Sequence, residues 1–385
     1  MNELKVIING RCIVPDQNDN FVINDQISIV FDKKILSIVS NDSIDVKNFD
    51  EVIDAENNFV SPGFINIHIH GCNGFDTMDD NDNALIGMKK FLPSTGVTSF
   101  LPTTMTMPLK NIYNSLDRIK KAVKINDGAK IIGANVEGPY ISKKFKGAQA
   151  EKNIRRANFD EIKNFSDVIK IITIAPEEVD DKNFIAQCQA NDIIVSIGHS
   201  SADYETAIDA IENHNVKHIT HLFNAQTGLH HRKPGIVGAA FDSNAVVELI
   251  ADNIHVNAVV QRIVHKIKNR NEIILITDSL RSCGLGNGVY DLGGQKVFVN
   301  GEVATLEDGT IAASVATMNK VVKNFKINTK INIAEAVEFV TKNPAIELKI
   351  YDQIGSLAIN KSADIIIFDD DFNIKVAFVD GNKSF

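Results

Sequence analysis

The sequence predicts an α/β protein, a TIM-like (β/α)8 barrel over residues 61–345 with a small β domain assembled from residues 1–60 and 346–385. Three observations lead there. From Phe64 onward, apolar runs of five to seven residues alternate with segments of helical spacing, the texture of a parallel sheet with crossover helices. Eight such runs can be counted, the number that a closed barrel of roughly 250 residues requires. The two chain ends read instead as short strands and turns, and they resemble each other more than either resembles the middle.

Taken in order, residues 4–8, 26–31 and 35–39 are β-like, the last two flanking Asp32-Lys33-Lys34 as a hairpin. The barrel opens at Pro62-Gly63, and its strands are expected at 64–70, 97–103, 130–136, 169–175, 193–198, 217–221, 245–251 and 272–277. Helices are expected between them at 83–92, 109–124, 181–191, 203–212 and 256–268. After Asp278 comes a glycine-rich loop, 284–288, without the strand-GxxxxGK[ST]-helix context of a phosphate-cradling loop. Two β-like pieces follow, 296–300 and 302–306, joined at Asn300-Gly301. Helical segments near 316–325 and 333–341 precede terminal strands at 363–368 and 374–379. Pairing the terminal strands with those of the first sixty residues covers edges that either piece alone would leave open.

The 385 residues carry 40 Lys plus Arg against 49 Asp plus Glu, a formal net charge of −9. A diffusely acidic surface argues against nucleic acid or an acidic membrane as partner, and an anionic small substrate would need locally placed cations. Cys12, Cys72, Cys188 and Cys283 lie far apart with no CxxC, so neither a zinc knuckle nor a disulfide framework is expected, and a reducing cytoplasm is the expected location. Residues 1–9 lack the basic region and apolar core of a signal peptide, and no apolar run approaches the roughly 20 residues that span a bilayer.

Active sites of such barrels lie at the carboxyl ends of the strands, so the residues that follow each run are informative. In Asn66-Ile67-His68-Ile69-His70, strand alternation points Asn66, His68 and His70 to one face, and two imidazoles converge. The third strand runs into Glu137-Gly138-Pro139 and the fifth into Gly198-His199-Ser200. The sixth closes with His221, the seventh precedes Asp252 and His255, and the eighth delivers Asp278. Each has an ordinary reading by itself: a hydrogen-bonded histidine, a turn residue, a helix cap. Their joint placement at equivalent strand ends points to a metal site. Imidazole and carboxylate without thiolate suit zinc, iron, manganese, cobalt or nickel.

Pro62-Gly63-Phe64-Ile65, His68-Ile69-His70-Gly71, Val136-Glu137-Gly138-Pro139-Tyr140, Gly198-His199-Ser200, Thr220-His221-Leu222-Phe223-Asn224-Ala225, His230-His231-Arg232-Lys233-Pro234-Gly235, Ile250-Ala251-Asp252 before His255, and Thr277-Asp278 occur in this order. Over nearly the whole chain they resemble the N-acetylglucosamine-6-phosphate deacetylases of the amidohydrolase superfamily. The resemblance implies a metal-dependent hydrolase barrel plus a small β-sandwich from both termini. It implies hydrolysis of N-acetylglucosamine 6-phosphate to glucosamine 6-phosphate and acetate in amino-sugar catabolism. One or two divalent ions per subunit follow, zinc first among them: Glu137, His199 and His221 would hold the main ion, and His68 and His70 a second, with Asp278 also among the metal ligands. Asp278, beside the metal, would take the proton of the attacking water and pass it to the leaving amine. His255 would stabilise the carbonyl oxygen as charge develops on it. Arg232 would reach the phosphate across a homodimer interface, with the Asn224 and Ala225 amides facing the same group, and Gln149 would lie in the sugar pocket.

The chain departs from the family pattern at several positions. Asn66 stands where Asp is usual, in the row that would support the metal pair; Gln149 stands where some members have His; Gln226 replaces a common Met, and Ala312-Ala313-Ser314 a Gly-Ser-rich turn. Most of these touch the sugar pocket, which leaves another N-acetylated amino-sugar phosphate, such as N-acetylgalactosamine 6-phosphate, as an alternative substrate. A catalytically silent scaffold is the alternative from another class, but a scaffold has no reason to keep Asp278 and all four histidines. Superfamily members whose two metals share a carboxylated lysine are disfavoured by Glu137 on the third strand.

Overall fold

The structure, a computed structural model, describes residues 3–385; Met1 and Asn2, the first positions of the expected small domain, lie outside the described residues. Eight parallel strands form the barrel: Phe64–Ile69, Val97–Thr104, Ala134–Glu137, Ile169–Ile174, Ile194–Ile197, His218–Ile219, Val246–Leu249 and Ile273–Leu275. Each pairs with the next in sequence. The strands are buried on both faces, which is why they read as unbroken apolar runs. Ile65, Leu101, Ile171 and Ile274 meet Ala345 and Ile354 in the core beneath the site.

Between the eighth and first strands the ring closes without a continuous ladder. Toward the carboxyl ends, Asp278 N–H donates to His68 O at 3.0 Å, and the His70 and Gly71 amides both donate to Ser279 O at 2.9 Å. Toward the amino ends, Leu275 N–H and Ile65 N–H bond to Phe339 O and Val340 O, so the segment after helix Ile333–Glu338 fills the gap.

All eight expected runs fall on barrel strands, but the fifth to eighth are shorter than expected and the third breaks between Ile131 and Ala134. Beyond the sixth and eighth strands the backbone leaves extended geometry, with φ of +29° at His221 and +48° at Asp278. The five expected helices are present as Asn83–Phe91, Leu109–Ala122, Asn183–Ala190, Tyr204–Asn213 and Ala258–Ile267. In the second of these Ile112, Leu116 and Ile119 face the core, and the fourth starts where the Asp203 carboxylate accepts from Thr206 N at 2.9 Å. A further helix, Gly235–Phe241, follows the sixth strand. Residues 235–240 of it are all buried, so its sequence carries no amphipathic period to reveal it.

Strands from the chain ends build two sheets. One has the order Ile35–Ser40, Ile27–Phe31, Lys5–Ile8, Glu51–Asp54; the other runs Asn382–Lys383, Ile374–Val379, Ile365–Phe368, Phe59–Pro62, Arg11–Pro15, Phe21–Asn24. Phe59–Pro62 lies between a strand from each chain end, so the termini share a ladder. Ile7, Ile29, Phe31, Val60, Ile365, Ile367 and Phe378 pack into one core. A three-stranded antiparallel piece, Gly288–Leu292, Gln295–Asn300 and Val303–Thr305, packs Leu292, Val297 and Ala304 against Met105, Leu280 and Ala313. Its first strand begins inside what the sequence presents as a glycine-rich loop.

Lys130, just before the third barrel strand, reaches Asp364 at 2.7 Å and Asp380 at 2.8 Å, both from the C-terminal segment. Asp364 is only 4% exposed, and burial raises its pKa even with Lys130 beside it. Lys130→Ala strands that carboxylate and should destabilise the fold by about 3 kcal/mol, read as a lower denaturant midpoint. The four cysteines are free and buried. Among the described residues no helix is long and apolar enough to cross a membrane.

Candidate active site

The rim residues leave their strands through left-handed backbone: φ is +47° at His199, +29° at His221, +49° at Ala225 and +48° at Asp278. For non-glycine residues this geometry costs on the order of 1–3 kcal/mol each, and here it turns side chains at the strand ends toward one cavity.

Two groups of donors converge, His68 with His70 and Glu137, and Glu137 with His199 and His221. Glu137 Oε1 lies 3.1 Å from His199 Nε2 and 3.0 Å from His221 Nε2, and those two nitrogens are 3.1 Å apart. Glu137 is common to both groups, with Oε1 3.4 Å from His68 Nε2 and Oε2 3.3 Å from His70 Nε2. Asp278 Oδ1 stands 3.4 Å and 3.3 Å from the same two nitrogens. These separations approach the roughly 3.3 Å edge of a tetrahedron built on metal–ligand bonds of about 2.0 Å. His68 Nε2 is buried and has no hydrogen-bond partner among the described residues. A buried imidazole nitrogen that faces two carboxylates and has no hydrogen-bond partner suits a cation, so the residues fit a divalent metal.

The far sides of three of the four rings are anchored, while His221 Nδ1 is buried without a hydrogen-bond partner among the described residues. His199 Nδ1 donates to Phe145 O at 3.0 Å, His70 Nδ1 to Thr103 O at 3.2 Å, and His68 Nδ1 to Glu248 Oε2 at 2.9 Å. Each such bond turns an Nε2 lone pair inward. Burial pushes the Glu137 carboxyl up, but His199, His221 and His68 hold it well below the usual carboxylate range. Burial alone would lower His70, yet Asp278 and Glu137 raise it to about 10. His68 is likewise raised against burial by Glu248 and Asp278. The field that favours a proton there favours any cation.

A cavity of about 280 Å3 lies over this cluster, lined by His70, Glu137, Gln149, His199, His221, Asn224, Ala225, His255 and Asp278 among others. His68 sits beneath, fully buried. A larger hollow of about 460 Å3, lined by Lys33, Lys34, Lys90 and Lys130 among others, holds none of these groups. His255 Nδ1 donates to Asp252 Oδ2 at 2.7 Å, which leaves Nε2 as the nitrogen available to the cavity. Burial lowers the His255 pKa, and Asp252 more than restores it.

Gln149, Asn224 and Asn66 each have a partner within the chain, and Arg232 lies outside the cavity. Gln149 lines the cavity; its Oε1 accepts from Thr106 N at 2.8 Å and one hydrogen of its Nε2 goes to Glu137 Oε2, so its amide steadies Glu137 and keeps a second N–H. The Asn224 amide N–H donates to His221 O at 3.0 Å, while Ala225 N–H has no protein partner among the described residues and stays available for an anion. Arg232 is exposed on the loop before Gly235–Phe241 and does not line the cavity of its own chain. Asn66 donates to Thr277 Oγ1 at 2.8 Å and ties the first strand to the eighth instead of supporting a ligand ring. Glu248 is the residue that sequence reasoning missed: its only signal is a lone carboxylate inside the apolar run of the seventh strand.

The chain matches the amidohydrolase family over residues 59–383. It is 38% identical over 333 residues to N-acetylglucosamine-6-phosphate deacetylase of Bacillus subtilis, covering 84% of each chain. It is 31% identical over 334 residues to N-acetylgalactosamine-6-phosphate deacetylase of Escherichia coli O157:H7, covering 85% of this chain and 88% of that one. The crystal structure of N-acetylglucosamine-6-phosphate deacetylase from Pasteurella multocida superposes with a TM-score of 0.92 at 27% identity, over 99% of both chains. By sequence, fold and the donors gathered at its strand ends, the chain belongs to the amidohydrolase family.

Proposed function

We propose that the protein removes the N-acetyl group of N-acetylglucosamine 6-phosphate by hydrolysis, giving glucosamine 6-phosphate and acetate in amino-sugar catabolism. The observation that carries this reading is the convergence of the Glu137, His199 and His221 donors with Asp278 and His255 on one cavity. Those three donors would hold a divalent ion, with room for a second at His68 and His70, and when bound it would supply Lewis acidity toward the acetamide carbonyl and lower the pKa of water toward about 7. The imidazole and carboxylate set fits zinc, with iron, manganese, cobalt and nickel as further candidates for reconstitution. Asp278 Oδ1 accepts the proton of the attacking water. Once the tetrahedral carbon has formed, Asp278 returns that proton to the amine nitrogen, because an amide C–N bond cleaves poorly without nitrogen protonation. The nitrogen of His255 that faces the cavity donates to the former carbonyl oxygen.

Residues 61–345 supply every group in these steps, and we treat 1–60 with 346–385 as a β-sandwich that supports the barrel. Four buried free thiols accord with a reducing cytoplasm.

The cavity lining includes no lysine or arginine, although its substrate would bring a phosphate. Arg232 is exposed, and its guanidinium makes no ion pair among the described residues. A homodimer in which Arg232 enters the neighbouring cavity supplies the missing cation. Arg232→Ala should then raise KM for the phosphorylated sugar at least tenfold and leave unphosphorylated N-acetylglucosamine unaffected. Mixed dimers of Arg232→Ala and Asp278→Asn subunits should regain one site of wild-type KM per dimer, whereas an arginine acting within its own chain would leave one site without its base and the other with the raised KM.

Acetate release from N-acetylglucosamine 6-phosphate, its galacto epimer and the unphosphorylated sugar tests the reading. The gluco phosphate should be the best substrate. Chelation should lower turnover at least a hundredfold, and zinc should restore it; no activity with any of the five metals would end the proposal.

A further inference from the structure

We infer that Glu248 is the positioning residue that decides whether a second metal ion can occupy the His68–His70 position. The inference rests on the two-ion reading above. Glu248 lies on the seventh barrel strand and is completely buried. Its Oε2 accepts from His68 Nδ1 at 2.9 Å and from the His221 backbone N–H at 3.1 Å, and its Oε1 from His218 Nε2 at 3.2 Å. His218 Nδ1 continues the chain to Glu347 Oε1 at 2.9 Å. Buried residues elsewhere in the barrel include apolar side chains such as Ile65, Leu101, Ile171 and Ile274 and neutral hydroxyls such as Thr173, Ser196 and Thr220. A carboxylate buried there costs several kcal/mol unless it is hydrogen-bonded, and here three donors meet its two oxygens.

What those donors are gives Glu248 its role. Among the candidate ligands, His70 and His199 rest on backbone carbonyls, neutral acceptors; His68 alone has its ring held by a carboxylate. That bond fixes the proton on Nδ1 and presents the Nε2 lone pair to Glu137 and Asp278, and the carboxylate charge makes the ring a stronger donor. Nothing else near the ring can take this part, since Asn66 is bonded to Thr277. Glu248 touches His221 only through its backbone N–H, which places that residue without selecting its tautomer. Loss of the carboxylate should therefore fall on the second ion and spare the first.

The test strips metal from the wild type, Glu248→Gln and His218→Gln, reloads each with zinc, and measures ions per subunit and chelator competition. Wild type should hold two ions. Glu248→Gln, which keeps the volume, should hold the first with wild-type affinity and the second about 10–100-fold more weakly. His218→Gln, which leaves the His68–Glu248 bond standing, should keep both. Nitrogen-15 spectra of histidines in zinc-loaded wild type, assigned with His68→Ala, need no folded Glu248 variant: they should show His68 protonated on Nδ1 and ligating through Nε2. Two ions held with unchanged affinity in Glu248→Gln, or ligation through Nδ1, overturns the assignment and leaves the deacetylase reading intact. A single ion in wild type under excess zinc overturns the two-ion reading and this inference together.

Discussion

Asp278→Asn should lower kcat for acetate release by about 10³–10⁴-fold while the metal stays bound. The size follows from Asp278 acting twice, as the acceptor of the water proton and as its donor to the departing amine; an amide side chain does neither. Retention of metal follows from position: Asp278 belongs to neither donor triad, and its Oδ1 meets only His68 and His70, at 3.4 and 3.3 Å. The substitution is clean for a further reason. Asp278 has φ of +48°, a region that Asn tolerates as readily as Asp, so the backbone acquires no new strain. Because the lost interaction is made in the transition state, kcat and kcat/KM should fall together. Elemental analysis of the variant decides the matter: loss of the first ion would recast Asp278 as chiefly a ligand.

The barrel was legible because strands buried on both faces read as apolar runs, and because histidines and carboxylates are conspicuous where such runs end. His68, His70, Glu137, His199, His221, His255 and Asp278 could all be found by that rule, and the cavity gathers all but the buried His68. Partnership was not legible. Nothing in the chain says that Asn66 meets Thr277 or that Gln149 meets Glu137, because those pairs are made by barrel closure and by a loop folding over the rim. Glu248 was hidden by the same property that revealed the strands, since a run buried on both faces has no period to say where its one carboxylate points. In the small domain, Glu51–Asp54 alternates half-buried with exposed residues over only four positions, too short a pattern to register as a strand. Arg232 is a loop residue whose partner would belong to a second chain, which no reading of one chain can place.

His255→Gln should lower kcat by about 10²–10³-fold, the loss expected when one donor to a developing oxyanion is removed in a closed site. His255 lines the cavity and is nearly buried, so its bond to the carbonyl oxygen forms largely out of water. Asp252 makes the ring a better donor in two ways. Its Oδ2 fixes Nδ1 at 2.7 Å, and its Oδ1 accepts from the Ile254 and His255 backbone amides at 2.9 and 2.8 Å, so the loop that carries the ring is held as well. The carboxylate also keeps the imidazole protonated to higher pH than an ordinary histidine, although burial works the other way. The sign of the pH dependence follows: the charged donor is complete below the raised pKa and is lost as pH climbs through it, giving kcat an alkaline limb. Asp252→Asn removes the cause of the rise, so its alkaline limb should move to lower pH while metal content and the acidic limb stay put. A profile unchanged in Asp252→Asn, with kcat reduced equally at every pH, would reduce Asp252 to a brace for the loop.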